Sequence, residues 1–449
     1  MTGVSGVLSS EYLVNHTDLY LTNRSATKRG NVSDIGDGFS DQGEDRIHDL
    51  IHDWNTAESN DEGRAPVEFD DETLRDGLQS PSVVDPPIEK KFEILRLMDK
   101  LGIHTANVGL PGAGPRAVED VTRLCQLIVE ENLSITPNCA ARTHENDIRA
   151  VAEISQKVGI PIECCTFIGS SPIRQYTEDW TLERMLEHTR FASDFCRQEN
   201  IPQMYVTEDT TRATPDTLRA LYSTAIEHGA ARACVCDTVG HATPSGVRAL
   251  IRFIQEVVKE TGVEGVKIDW HGHRDRDLDV ANSIAAYEAG AHRIHGAALG
   301  IGERCGNTSM DLLLVNLKLI GAIDNDLTLL PDYVEAVSEG CHVPIPRNYP
   351  VFGSDAFETA TGVHAAAVIK AFRKNDTWLA NRVYSGVPAD EFGLAQKISI
   401  GPMSGKSNVI FWLEQNQIQP TDELVTRIFD CAKKADRLLS DEELLEMTR

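Results

Sequence analysis

The chain has 449 residues, 41% of them hydrophobic, which is ordinary for a globular chain and calls for about two or three structural units. Its formal net charge of −26, from 43 basic and 69 acidic residues, argues against a nucleic-acid groove as the main binding surface. No run of about 18 apolar residues exists, so no membrane span is expected, and the N-terminus has the layout of neither a signal peptide nor an Arg-rich transit peptide.

Residues 1–65 are rich in Ser, Asn, Asp and Gly, with 12 acidic and 5 basic residues and little periodicity. They read as a polar, disordered extension with one short helix near Glu44–Trp54. From Val67 short β-rich runs alternate with amphipathic runs. Strands are expected at Val67–Phe69, Thr105–Gly109, Ser134–Asn138, Ile162–Ile168, Gln203–Thr207, Ala233–Asp237, Val266–Trp270 and Arg293–Ala297. Helices are expected near 87–101, 115–131, 144–158, 179–199, 214–228, 243–261, 277–289 and 308–321. Eight strand–helix units over residues 66–325 fit a (β/α)8 TIM barrel of the α/β class better than an open doubly wound sheet. Asp76, Asn107, Asn138, Glu208, Asp237, His271, His273 and Gly300 then fall at the C-terminal strand ends, the catalytic face of such barrels.

Past residue 325, Pro331, Pro344, Pro346 and Pro350 break the pattern, and residues 326–449 read as a linker followed by helical subdomains. Helices are expected over Phe357–Phe372, which carries His364, and near 407–417 and 421–437; a last one starts at Ser440, with Glu443 completing a capping box. The ten cysteines include Cys164, Cys165, Cys234 and Cys236 in apolar runs, and they read as reduced core residues of a cytoplasmic protein.

The chemistry begins at His271-Gly-His273. Alternate residues of a strand share a face, so the two imidazoles lie side by side and suit a divalent metal. Near residue 70 an apolar entry leads into a polar cluster, in which Arg75-Asp76 offers a cation and a carboxylate ligand.

Five separated motifs carry a family resemblance: Asp71-Glu-Thr-Leu-Arg-Asp-Gly-Leu-Gln79, Glu208-Asp-Thr-Thr-Arg212, Asp237-Thr-Val-Gly-His-Ala-Thr-Pro244, His271-Gly-His-Arg-Asp275 with Val280-Ala-Asn-Ser283, and Gly300-Ile-Gly-Glu-Arg-Cys-Gly-Asn307. In this order, from about Val67 to Leu413, the chain resembles the DRE-TIM metallolyases, which include 2-isopropylmalate, homocitrate and citramalate synthases and 3-hydroxy-3-methylglutaryl-CoA lyase. The resemblance implies that Asp76, His271, His273 and Asn307 hold a divalent metal (Mg2+, Mn2+ or Zn2+). It implies that Arg75 stabilises alkoxide charge, that Thr238 binds the oxo-acid carboxylate, and that Glu208 and Gln79 serve the pocket. Gly300 and Gly302 would let backbone amides approach an acyl-CoA thioester.

Condensing members carry a histidine in a Gly-x-His segment, matched by Gly362-Val-His364; Ser404-Gly-Lys406 also resembles them. The implied activity is a Claisen-type condensation of acetyl-CoA, a co-substrate, with a 2-oxo acid, 2-isopropylmalate synthesis being the leading form. Small molecules are then the partners, with neither nucleic acid nor membrane, and a homodimer is implied. Leucine feedback through a further C-terminal domain is not expected.

The sequence also departs from the family. Leu78 looks like the lyase branch, Cys165 stands where His is usual, Arg274-Asp-Arg-Asp277 replaces an Asn-Asp-x-Gly run, and Leu394 aligns with a Tyr that Tyr349 or Tyr384 could replace. Arg142, His144, Arg174 and Arg212 are candidates to read a second anionic group on the acceptor. The alternatives are a homocitrate, phosphonomethylmalate or other alkylmalate-type synthase, a lyase, and a non-catalytic barrel.

Overall fold

A computed structural model describes residues 50–56 and 66–449. Most of the helix expected at Glu44–Trp54 lies outside them. Eight parallel strands close into one barrel in chain order: β1 (Glu68–Asp71), β2 (Thr105–Asn107), β3 (Thr136–Arg142), β4 (Glu163–Gly169), β5 (Gln203–Glu208), β6 (Arg232–Asp237), β7 (Lys267–Gly272) and β8 (Arg293–Gly296). Closure is the β8–β1 ladder, with Glu68 beside Arg293 and Asp71 beside Gly296.

The outer ring contains α1 (Ile88–Lys100), α2 (Pro115–Glu131), α3 (Glu145–Val158), α4 (Pro172–Glu178), α5 (Leu182–Gln198), α6 (Pro215–Glu227), α7 (Pro244–Thr261), α8 (Asp279–Glu288) and α9 (Met310–Leu319). These form because apolar side chains recur at helical spacing: α7 buries Val247, Ile251, Ile254 and Val257 in one stripe. Thr181, Thr214 and Thr243 accept the first free backbone N–H groups of α5, α6 and α7, and Pro215 and Pro244 sit in the first turn, where no N–H is needed.

Three stretches differ from expectation. β3 runs four residues further than expected, to Arg142. The helix expected over 179–199 forms as α5 at Leu182–Gln198, and a further short helix, α4, precedes it and ends where Asp179 takes a left-handed conformation (φ 52°). Beyond residue 325 the chain forms α10 (Leu330–Cys341), in which Pro331 occupies the permitted first turn. Its Tyr333 reaches Thr73 and Asp71 just after β1, and residues 66–356 with 390–394 form one compact unit.

The second unit includes residues 357–389 and 395–449. A two-residue parallel pair joins β9 (Glu358–Thr359) to β10 (Lys397–Ile398). Around it lie α11 (Gly362–Arg373), α12 (Thr377–Arg382), α13 (Lys406–Gln415), α14 (Asp422–Lys434) and α15 (Asp441–Thr448). Ile400, Val409, Leu413 and Ile428 make its core, and Ser440 and Glu443 form the expected capping box. All ten cysteines are free and eight are buried; Cys305 is exposed. Among the described residues no helix is long and apolar enough to cross a membrane.

The barrel interior is charged. Arg293 Nε donates to Asp269 Oδ2 at 2.6 Å and its Nη2 to Glu163 Oε2 at 2.6 Å; Arg232 Nη1 donates to Asp269 Oδ1 at 2.9 Å, and its Nη2 pairs with Glu68. Arg293→Ala leaves Asp269 and Glu163 short of a counter-charge in a dry interior, and a loss of about 3–5 kcal/mol is expected in urea unfolding.

Asp71 gives a pH prediction. Burial pushes its carboxyl from the ordinary 3.8 up to about 7, against hydrogen bonds from Thr73 and Tyr333. The folded chain therefore holds a proton there that the unfolded chain loses, and stability falls as pH rises from about 4 to about 7. Asp71→Asn should flatten that segment of the stability–pH curve, measured by denaturation at fixed pH steps.

Candidate active site

The barrel chemistry sits where β7, β8 and the segment after β1 meet. His271 is the penultimate residue of β7 and His273 follows it; their Nε2 atoms are 3.3 Å apart. Asp76, in the turn after β1, brings Oδ2 to 3.6 Å from His271 Nε2. Asp76, His271 and His273 are all buried and offer ligand atoms within 4.8 Å of one another. Asn307 closes the group from the β8 side. It bridges backbone to backbone with His273, and its Nδ2 donates to Asp76 Oδ1 at 3.2 Å and to Ile301 O at 2.9 Å.

The donor set fits a cation. Asn307 Oδ1 and His273 Nδ1 are buried without a protein partner, and a buried acceptor of this kind calls for a ligand. Burial lowers His271 to about 3, which keeps the ring neutral, the form that ligates. Burial pushes Asp76 upward, but Arg75, His271 and His273 outweigh it and hold the carboxyl below its usual range.

Arg75 lies between two carboxylates. Its Nη1 donates to Asp76 Oδ2 at 2.8 Å and its Nη2 to Glu72 Oε2. Burial raises Glu72, yet Arg75 and the neighbouring histidines hold it well below the usual carboxylate range. Arg75 Nε has no partner among the described residues.

The Gly300–Asn307 loop is shaped around Asn307. Gly302 has φ 152°, and a Cβ there would lie 2.3 Å from Asn307 Nδ2. A Cβ on Gly306 would lie 1.7 Å from Gly300 O. These glycines therefore let the loop fold tightly onto the carboxamide.

The remaining expected residues scatter. Glu208 ends β5 near Arg174 Nη2, at 3.8 Å, and burial raises its carboxyl despite that arginine. Thr238 Oγ1 accepts from Asp209 N at 2.8 Å, and Gln79 is exposed at the end of its turn. In the second unit, exposed His364 is the third residue of α11 and stacks on Tyr384, with ring centroids 4.3 Å apart. Tyr349 is engaged elsewhere, its Oη bonding Asp311 Oδ2 at 2.9 Å in the barrel unit. Of the candidate anion readers, Arg142 is bidentate with Asp147 and Arg212 with Asp209, whereas Arg174 makes only the longer contacts to Glu178 and Glu208.

Glu72 and His295 were not among the expected site residues. Both were findable: Glu72, just after β1, continues the alternation of Asp70, as Arg293 and His295 alternate along β8.

A family model described as HMGL-like matches residues 66–333. The chain belongs to the HMGL-like family. Among its curated relatives, Homocitrate synthase AksA of Methanopyrus kandleri is 32% identical over 385 residues, covering 84% of this chain and 91% of that one. A Probable 2-isopropylmalate synthase of the same organism is 32% identical over 380 residues, covering 82% and 70%. The HMG-CoA lyase of Bacillus subtilis shares the barrel, with a TM-score of 0.52, 19% identity and coverage of 63% and 95%. That last likeness concerns the HMGL-like fold alone.

Gly302→Ala forces a Cβ into Asn307. Displacement of that carboxamide from Asp76 is expected to weaken Mn2+ binding about tenfold, read by calorimetric titration, with global unfolding little changed.

Proposed function

We propose that this protein is a metal-dependent condensing enzyme that joins acetyl-CoA to a 2-oxo acid and releases CoA. Its leading form is 2-isopropylmalate synthesis; homocitrate-type or other alkylmalate synthesis differs only in the acceptor. The observation that carries the reading is the buried Asp76–His271–His273 group with Arg75 bound to Asp76. Relatives named homocitrate synthase and 2-isopropylmalate synthase support the reaction class.

Asp76, His271, His273 and Asn307 would hold the cation. Bound there, a divalent metal supplies Lewis-acid polarisation of the 2-oxo carbonyl. Arg75 keeps Nε–H free of protein partners, a donor for the alkoxide charge that grows when the carbonyl is attacked. Glu208, raised by burial, can hold a proton at its carboxyl and return it to that alkoxide. His364 takes a proton from the acetyl methyl group; stacking on Tyr384 limits the ring's freedom. The carbanion forms the new C–C bond, and water then cleaves the thioester to release CoA.

The test is acetyl-CoA-dependent release of CoA with Mg2+ or Mn2+ across 2-oxoisovalerate, 2-oxoglutarate, pyruvate, oxaloacetate and phosphonopyruvate. One acceptor should support turnover, and His364→Ala should lower it about 10²–10⁴-fold. Cleavage of 3-hydroxy-3-methylglutaryl-CoA without acceptor-dependent CoA release overturns the condensing reading.

A further inference from the structure

We propose that Glu72 is a positioning residue of the cation site: it fixes the ring orientation and tautomer of His271 and clamps Arg75 beside Asp76. The inference rests on the metal-dependent reading above and goes beyond the four expected ligands.

Glu72 is 1% exposed and faces the barrel interior just after β1. Its two carboxylate oxygens have separate tasks. Oε2 accepts from Arg75 Nη2. Oε1 lies 3.6 Å from His271 Nδ1 and 3.3 Å from His295 Nδ1. The other nitrogen of His271, Nε2, faces Asp76 Oδ2 and His273 Nε2. An imidazole ligates through the nitrogen that lacks a proton, so a ligating Nε2 requires the proton on Nδ1, and the carboxylate facing Nδ1 is the acceptor that selects this tautomer.

Glu72 is itself held from below. His295 Nε2 meets Asp269 Oδ2 at 3.2 Å, and that same oxygen accepts from Arg293 Nε. A chain of contacts therefore runs from the buried ion network through His295 and Glu72 to His271. Glu72, His271 and His295 also form a second close group of donors. Both nitrogens of His295 face carboxylates, Nε2 toward Asp269 and Nδ1 toward Glu72 and Asp70. That geometry favours a positioning role over a second cation.

Two measurements on the full chain test this. Mn2+ affinity, read by electron paramagnetic resonance titration, should fall about 10–100-fold in Glu72→Gln, whereas a change under about twofold overturns the proposal. Imidazole 15N spectra of metal-free wild-type protein, with His271 assigned against a His271→Gln sample, should show its proton on Nδ1; a proton on Nε2 overturns the proposal even if Glu72→Gln fails to fold. Wild-type protein that binds no Mn2+ and releases no CoA sinks the metal-dependent reading instead, while the tautomer still judges the hold of Glu72 on His271.

Discussion

The rest of the structure depends on one buried ion pair, Arg293 with Asp269. Arg293 lies on β8 and Asp269 beside it on β7, next to the β8–β1 ladder that closes the barrel. Charges taken this far from water carry a desolvation cost of several kcal/mol each, so they persist only where every atom finds partners. Here Asp269 is paired with Arg293, Arg232 and His295, and Arg293 also donates to Glu163 and Thr105. Burial pushes Asp269 upward, but Arg293, His295 and Arg232 hold it well below the usual range, so it stays an anion. An ordinary barrel of this class fills its interior with layers of branched apolar side chains. This one uses charge, and the network reaches the site above through His295.

The interior also has two chemically distinct walls. From β7 through β8 to β3 the buried polar residues of this network include Asp269, Arg293, His295, Asp70 and Asn138, with Thr105 of β2 bonded to Asp70. Across β4, β5 and β6, Cys165, Met204, Val206, Cys234 and Cys236 pack as one apolar cluster. Burial raises the Cys165 and Cys234 thiols well above their usual range, so they remain neutral and behave as small hydrophobes. The separation matters because a thiolate on the second wall would compete for a cation with the carboxylate and imidazoles on the first. Cys165 borders the polar side, where its Sγ donates to Asn138 Oδ1 at 3.4 Å.

Much of this was legible in the sequence because it follows from period two. Eight alternating strand–helix units gave the barrel, and alternation along β7 put His271 and His273 on one face. The same rule applied to β8 and β1 would have brought in His295 and Glu72. What alternation cannot reveal is which inward residues meet: the β8–β1 register that aligns Asp70 with His295 spans most of the barrel sequence. α10 was hidden for a different reason. Four prolines in that stretch read as breaks, yet Pro331 stands where a helix tolerates proline, and Tyr333 anchors the helix through a buried hydroxyl that no local pattern signals. α4 is similar, since it is a short helix ended by the left-handed backbone of Asp179, three residues before α5 begins.

The candidate cation site is assembled from the two ends of the barrel sequence. Asp76 and Glu72 follow β1, His271 lies on β7 with His273 just after it, and Asn307 arrives on the loop after β8. Asp76 cannot meet the other three expected ligands until β8 has paired with β1. The site is therefore a reporter of closure, because a cation held by Asp76, His271 and Asn307 would tie the first strand to the last. By linkage, whatever binds only the closed barrel stabilises it by an amount set by its concentration relative to its dissociation constant. The buried charges gain from the same closure, since Asp269 and Arg293 are fully partnered only when β1 and β8 shut out water. Closure and the ligand geometry are thus two consequences of one ladder, and His295 and Glu72 are the side chains through which they meet.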